Sequence, residues 1–346
     1  MQALVYENKT LQLKDMPRPK AKADSAIAKV DIASICGTDV RTYVKGNDSL
    51  PDGIIMGHEF CGTIVEAGED VQGFKPGDRI TVAPAISCGK CYMCQKEKYN
   101  MCENLETIGF QYDGCFAEYI EIPSVAFARN NVNHVADAVS AEEASMAEPV
   151  ACIVNSHSYL NIGRGDTVAV FGSGFIGCMH AELAYRSGAE QVIMIEISDT
   201  RMAVAKSFIP DIETINSLQE DVAERMMELT DGRGADVVIT ACSSGKAQED
   251  AQEIAAKCGR ISLFGGIAGE SKGFIDSNQI HYKELSVHGA HASTAAQNRM
   301  VLNWIAEGSI DIKKYISKIY ALDDILEAFE DAKEQKIIRA LIRPSS

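Results

Sequence analysis

Basic residues are in short supply: 33 Lys and Arg stand against 49 Asp and Glu, a formal net charge of −16. A partner held by its phosphate backbone needs a basic footprint, so no nucleic-acid partner is expected, nor adsorption to an anionic membrane. No uncharged apolar run reaches about 18 residues, so no membrane span is expected either. Met1 to Lys14 alternates like a strand and carries charges. It lacks the basic and apolar stretches of an export signal, which makes the cytoplasm the expected compartment. Internal repeats and low-complexity segments are missing as well. The cysteines form no even framework: there are eleven, and four crowd into residues 88–102. That clustering points to thiolates held by metal rather than to disulfides.

What is present is an ordinary globular composition, 46% hydrophobic and 24% charged over 346 residues, which suits two domains. The first part holds short alternating runs, Ala28–Ile35, Gly62–Glu66, Arg79–Ala83 and Ala117–Ile122. Gly68, Gly73, Pro76 and Gly77 punctuate them, as in a mostly antiparallel β domain. Ala141–Leu160 reads as one or two helices. Strands and helices then alternate: Thr167–Phe171, Phe175–Ser187, Gln191–Ile195 and Arg201–Phe208. Later strands are expected at Asp236–Ala241, Arg260–Phe264 and Leu285–Gly289. Alternation of this kind predicts a doubly wound parallel sheet, an α/β fold. Helices at Gln297–Glu307 and Leu322–Lys333 and a strand at Ile337–Arg343 complete the pattern.

Cys88, Cys91, Cys94 and Cys102 are spaced C-x2-C-x2-C-x7-C. Four thiolates close a tetrahedral shell around Zn²⁺ with no open position, which makes the site structural. An iron–sulfur cluster is the alternative occupant, but nothing else in the sequence suggests electron transfer.

Gly172-Ser173-Gly174-Phe175-Ile176-Gly177 follows a buried strand and opens a helix, the context in which G-x-G-x-x-G signals a dinucleotide site. Glu196 ends the next strand, 19 residues beyond Gly177. A carboxylate there accepts the adenosine ribose hydroxyls and repels a 2′-phosphate, favouring NAD over NADP. Arg201 is placed either to cover the adenine or to pair with Glu196, and it leaves dual cofactor use open.

Cys36-Gly37-Thr38-Asp39 and Gly57-His58-Glu59 scatter a thiol, an imidazole and carboxylates through the β region, a set that can gather around an open zinc site. With Phe60, Ile64-Val65-Glu66-Ala67-Gly68, Gly77-Asp78-Arg79, residues 113–119, Glu148-Pro149, the cysteine lobe and the glycine turn, the whole chain resembles the zinc-containing medium-chain dehydrogenases. Within that family it looks like the sorbitol (L-iditol) and L-threonine dehydrogenase branch. The resemblance implies a GroES-like β-rich catalytic domain over residues 1–148, carrying the zinc lobe at 88–102. It also implies a Rossmann NAD-binding domain over 149–290 and a return to the first domain over 291–346. Catalytic zinc ligands are implied at Cys36, His58 and Glu59. Glu148, 24 residues before Gly172, is implied as a further ligand or water-holding residue, where alcohol dehydrogenases proper use a cysteine. Asp39 is implied to orient His58, and Thr38 to carry away the alcohol proton. Phe264, Gly265, Gly266, Ala290 and His291 join Gly172, Gly174, Phe175, Ile176, Gly177, Glu196 and Arg201 as expected cofactor contacts. Two Zn²⁺ per chain, NAD(H), a small alcohol or ketone substrate and a homodimer or homotetramer complete the expectation, with Leu285–Gly289 as the pairing strand.

Two positions depart from that pattern. Arg41 stands where many relatives place the histidine that ends the proton relay, and a guanidinium is no terminal base. Either the proton leaves by Glu148 and water, or Arg41 binds an anion, or Arg41 is a solvated surface residue. Gly289-Ala290-His291-Ala292 lacks the arginine that sorbitol and threonine dehydrogenases tend to carry after this glycine, and His291 is either its replacement or a packing residue. The expected reaction is oxidation of a secondary hydroxyl of a polyol or sugar alcohol by NAD⁺. L-Threonine 3-dehydrogenase and sugar-alcohol-phosphate dehydrogenase are the enzymatic alternatives, and a catalytically silent NAD-binding protein is the non-enzymatic one.

Overall fold

A computed structural model describes residues 1–267 and 273–344. Ser345 and Ser346, the end of the expected return segment, lie outside the described residues. The chain divides into two units, one of Met1–Ala151 with Ala292–Ser346 and one of Cys152–His291. No helix among the described residues is long and apolar enough to cross a membrane.

In the first unit, the alternating N-terminal segment forms a hairpin of Gln2–Glu7 and Thr10–Asp15. Asn8 and Lys9 turn it, both with positive φ (49° and 60°), as a tight two-residue hairpin requires. A seven-stranded sheet runs Val132–His134, Arg79–Val82, Glu59–Ala67, Ala26–Ser34, Arg339–Arg343 and Ile316–Ala321, with Tyr119–Ile122 also paired to Ala26–Ser34. Leu4, Tyr6, Phe60, Ile64, Ile80, Phe116 and Phe329 fill the core beneath it. Strand register sets which side chains meet at the edge of this sheet. Ser34 pairs with Glu59 on one side and with Leu341 on the other. Side chains alternate along a strand, so Arg339, two residues before Leu341, shares Leu341's face and reaches past the end of the middle strand toward Glu59.

Ile316–Ala321 was not legible as a strand. Its burial is irregular, with Tyr320 its one buried residue, so the alternation that marks half-buried strands is absent.

The second unit is a six-stranded, wholly parallel sheet in the order Glu213–Asn216, Gln191–Glu196, Thr167–Phe171, Ala235–Thr240, Ala255–Leu263 and Ser286–Gly289. This is the doubly wound order 3-2-1-4-5-6, with its switch point beyond the ends of Thr167–Phe171 and Ala235–Thr240. All five residues of Thr167–Phe171 are buried, as its unbroken apolar run predicts. Ala255–Leu263 starts five residues earlier than Arg260–Phe264 suggested. Cys258 has φ +62° within it, opposite a register shift in the neighbouring strand, and the strand passes through. The 141–160 helical stretch is two helices, Ala141–Ser145, closed by a Ser140/Glu143 capping box, and Ala147–Leu160.

One histidine of this unit, His180, is fully buried, and a second, His157, is half-buried beside it. His157 Nε2 lies 3.1 Å from His180 Nδ1, the rings stack, and Phe264 meets His180 edge-on. Burial pushes His157 down to about 4 and His180 further below its usual range. Both therefore stay neutral in the folded protein, whereas the unfolded chain takes up protons below about pH 6.5. Stability should be fully present above pH 6.5 and fall on acidification toward pH 4, by up to about 1.4 kcal/mol per pH unit for each ring. Urea unfolding between pH 7 and pH 4.5 measures this. His157→Gln should flatten the slope, and an unchanged slope would sink the assignment.

Candidate active site

The cysteine lobe builds one metal centre from a short segment. A single helical turn, Tyr92–Gln95, and a 3-10 turn, Tyr99–Met101, fold Cys88, Cys91, Cys94 and Cys102 onto one point, with their sulfurs mutually within 4.8 Å. Cys91 Sγ lies 3.5 Å from Cys94 Sγ and 3.8 Å from Cys102 Sγ. Metal–sulfur bonds of about 2.3 Å set a tetrahedral edge of about 3.8 Å, so the donors fit zinc. Backbone amides point at the sulfurs: Cys88 N–H at 3.2 Å and Asn104 N–H at 3.3 Å from Cys102 Sγ. The amides of Lys90 and Cys91 pull the Cys88 thiol down to about 6, and those of Glu103 and Cys94 lower Cys91. Arg129 ties the lobe down by donating to the Cys88 carbonyl at 2.8 Å.

The second cluster joins two separate segments of the chain. Cys36 caps the helix Gly37–Lys45, and its Sγ accepts the Thr38 N–H at 3.5 Å. Asp39, fully buried, reaches back to accept the Cys36 N–H at 2.9 Å. His58 and Glu59 open the strand Glu59–Ala67, and the ligand atoms of Cys36, His58 and Glu59 fall within 4.8 Å of one another. Asp39 Oδ1 sits 3.6 Å from His58 Nδ1, on the side where it orients the ring. Burial opposes charge on His58, but Asp39, Cys36 and Glu59 outweigh it and raise the imidazole well above its usual range. Burial also pushes up the carboxyls of Asp39 and Glu59, against the charges of His58 and Arg339.

Glu59 Oε1, Asp39 Oδ1 and His58 Nδ1 are buried without hydrogen-bond partners. Groups like these are costly to bury unless something compensates them. A thiol, an imidazole and a carboxylate converging with unsatisfied atoms fit a divalent ion with an open position, which is the chemistry of catalytic zinc. Glu148, in the first turn of Ala147–Leu160, does not belong to this tight trio, although its charge reaches Asp39. Thr38 is half-buried beside Cys36, and Arg41 is exposed on the same helix.

Arg339 was invisible to sequence reading. Its guanidinium forms a buried ion pair with Glu59 Oε2 from 280 residues away, and it is 6% exposed. No local pattern marks an arginine in a terminal strand as a partner of the metal site. Only the sheet register does.

The nucleotide turn is formed within the second unit. Gly172 has φ +100°, closed to ordinary side chains, and a Cβ on Gly177 would lie 1.8 Å from the Gly172 carbonyl. Gly174 caps the helix Phe175–Arg186 with no side-chain bond, and no acid occupies the first turn, so the amides there face an anion without competition. Phe175 is buried and Ile176 half-buried behind the turn. Glu196 is buried, with Oε2 accepting the Ser173 N–H at 2.8 Å and Ser173 Oγ–H at 2.7 Å, and Oε1 accepting the Ile197 N–H at 2.8 Å. It does not pair with Arg201, whose guanidinium instead lies beside Gly174. Gly265 N–H bonds to Thr240 at the end of the neighbouring strand at 2.7 Å, and Gly266 is exposed. The His291 carbonyl accepts Asn155 Nδ2 at 3.2 Å, next to Ala290.

Residues 22–130 match the alcohol dehydrogenase GroES-like domain, and residues 176–307 match the zinc-binding dehydrogenase family. Over 334 residues the chain is 31% identical to a sorbitol dehydrogenase of Halalkalibacterium halodurans, covering 96% of this chain and 95% of that protein. It is 34% identical over 326 residues to an L-threonine 3-dehydrogenase of Pyrococcus abyssi, covering 92% and 91%. A zinc-binding dehydrogenase of Sinorhizobium meliloti 1021, solved bound to NADP, has the same fold, with a TM-score of 0.90 and 29% identity over 99% of each chain. Likeness along the full length agrees with the two donor sets, and the chain belongs to the zinc-containing medium-chain alcohol dehydrogenases, zinc-dependent and NAD(P)-linked enzymes of small alcohols.

Proposed function

We propose that the protein oxidises a secondary hydroxyl of a polyol or sugar alcohol to the ketone, with NAD⁺ as hydride acceptor. The observation that carries this reading is the convergence of Cys36, His58 and Glu59 with buried, uncompensated polar atoms. The Glu148-Pro149 pair supports the polyol and threonine branch, and the likeness to a sorbitol dehydrogenase supports the polyol class within it. Glu196, held at the end of its strand, supports NAD over NADP.

Cys36, His58 and Glu59 would hold the zinc, with Glu148 as a further ligand or the holder of a water. When bound, the ion supplies Lewis acidity that lets an alcohol exist as its alkoxide near neutral pH. Asp39 fixes the His58 ring, and Arg339 opposes the effect of burial on Glu59 and directs its Oε2. Thr38 would relay the alcohol proton, its hydroxyl oxygen accepting that proton as its own O–H proton passes on to water or the nicotinamide ribose. Arg41, always charged, is not the final proton acceptor. The glycine turn seats the pyrophosphate, with Phe175 and Ile176 behind it. Arg201, Phe264, Gly265, Gly266, Ala290 and His291 add contacts to the rest of the dinucleotide. Assembly as a homodimer or homotetramer would use the exposed edge strand Ser286–Gly289, and light scattering on the purified protein reads this directly.

The likeness to an L-threonine 3-dehydrogenase favours a second reading, oxidation of the L-threonine hydroxyl. A panel of hexitols, pentitols, their phosphates, L-threonine and primary alcohols, followed by NADH absorbance, separates the readings. Polyols should give the highest kcat/KM. Activity confined to threonine or to primary alcohols would reject the polyol assignment.

Cys36→Ser should abolish turnover, by at least about 10³-fold, while nucleotide binding measured by calorimetry persists. Loss of both together would mean that the residue serves folding instead. Arg339→Leu should destabilise the protein by about 3 kcal/mol, because it strands a buried carboxylate. Adding Glu59→Gln should recover part of that loss. Urea titrations of the two single variants and the double variant measure the coupling, and strict additivity would show that the pair is not linked.

A further inference from the structure

Ser173 fills the first variable position of the glycine turn, where the motif specifies no side chain. The residue is completely buried, and it gives one oxygen of Glu196 two hydrogen bonds, from its backbone at 2.8 Å and from its hydroxyl at 2.7 Å. Glu196 is itself only 6% exposed, so these donors and the Ile197 amide set its direction, not water.

Arg201 lies on the helix Asp199–Phe208, five residues beyond Glu196. Its Nη atoms sit 3.8 and 4.0 Å from where a Cβ on Gly174 would be, and its Nε is buried without a partner. Among the described residues it makes no ion pair, with Glu196 or with any other acid. Glu196 meets the turn at Ser173 and Arg201 meets it at the next residue, Gly174, so the two opposite charges lie on one turn and attract each other. The serine hydroxyl opposes this attraction by occupying the carboxylate first.

We propose that Ser173 is a positioning residue for nucleotide selectivity. Its hydroxyl holds Glu196 in place for the ribose diol of NAD and away from Arg201, leaving the guanidinium for the nucleotide. The proposal rests on the NAD-linked reading above. Without the hydroxyl, one donor remains on Oε2 and the carboxylate is free to turn to Arg201. The ribose then loses its acceptor, and a 2′-phosphate meets less negative potential.

Calorimetric titration of the full-length, zinc-loaded protein with NAD⁺ and with NADP⁺ tests this, using wild type, Ser173→Ala, Glu196→Ala, Arg201→Ala and Ser173→Ala/Arg201→Ala. Ser173→Ala should weaken NAD⁺ about five- to tenfold, the worth of one hydrogen bond to a charged group. NADP⁺ should weaken less, so the NAD/NADP ratio moves toward that of Glu196→Ala. In turnover the effect should fall on the nucleotide KM rather than on kcat. Ser173→Ala should cost less in the Arg201→Ala background, where nothing draws Glu196 away. A purely structural serine would cost the same in both backgrounds. Should Ser173→Ala melt below the assay temperature, Ser173→Cys, a weaker donor of similar size, replaces it. A wild-type ratio in the serine variants, with a shifted ratio in Glu196→Ala, overturns the role of Ser173 and leaves the NAD reading standing. A wild type that prefers NADP⁺ or binds neither nucleotide overturns both.

Discussion

A carboxylate shut away from water must be balanced by positive charge, and Glu59 sets that requirement for this protein. Arg339 meets part of it through Oε2, while Oε1 is buried without a hydrogen-bond partner in a residue whose carboxylate lies within 4.8 Å of the Cys36 and His58 ligand atoms. A buried ion pair adds little stability over a well-packed apolar pair of the same shape. Its value lies in keeping an ionised oxygen where a metal ion needs one. Asp39 repeats the arrangement on the far side of His58, again as a buried acid facing the metal cluster. The antiparallel register of Glu59–Ala67, Ala26–Ser34 and Arg339–Arg343 carries Glu59 and Arg339 to a common edge, so the sheet serves as the frame for their ion pair.

Sequence reading succeeded where chemistry is local. The four lobe cysteines lie within 15 residues, and Thr167–Phe171 declares itself by five consecutive residues buried on both faces. Cys36, His58 and Glu59 were suggested by residue type, but only the family resemblance joined them, because the two segments are 22 residues apart. What failed to show was long-range or irregular. Arg339 depends on a strand register that no window of sequence contains. Ile316–Ala321 lacks alternation because it is an outer strand with most of its residues partly or fully exposed.

The nucleotide turn shows the same division. Gly172, Gly174 and Gly177 are forced by backbone geometry and so are visible in any sequence that needs them. The residues between them are not forced, and a motif reads them as blanks. Ser173 takes on meaning only when the Glu196 carboxylate is seen resting on its hydroxyl.

The 280 residues between Glu59 and Arg339 also bear on how the protein is made. At about 5–20 residues per second, Arg339 leaves the ribosome roughly 14–56 s after Glu59. The cysteine lobe needs only neighbouring residues and can close as soon as Cys102 is clear of the exit tunnel. The catalytic centre has to wait for its counter-charge from the far end of the chain. The donors of the lobe are thus complete on the chain long before the buried partner of Glu59 has been made.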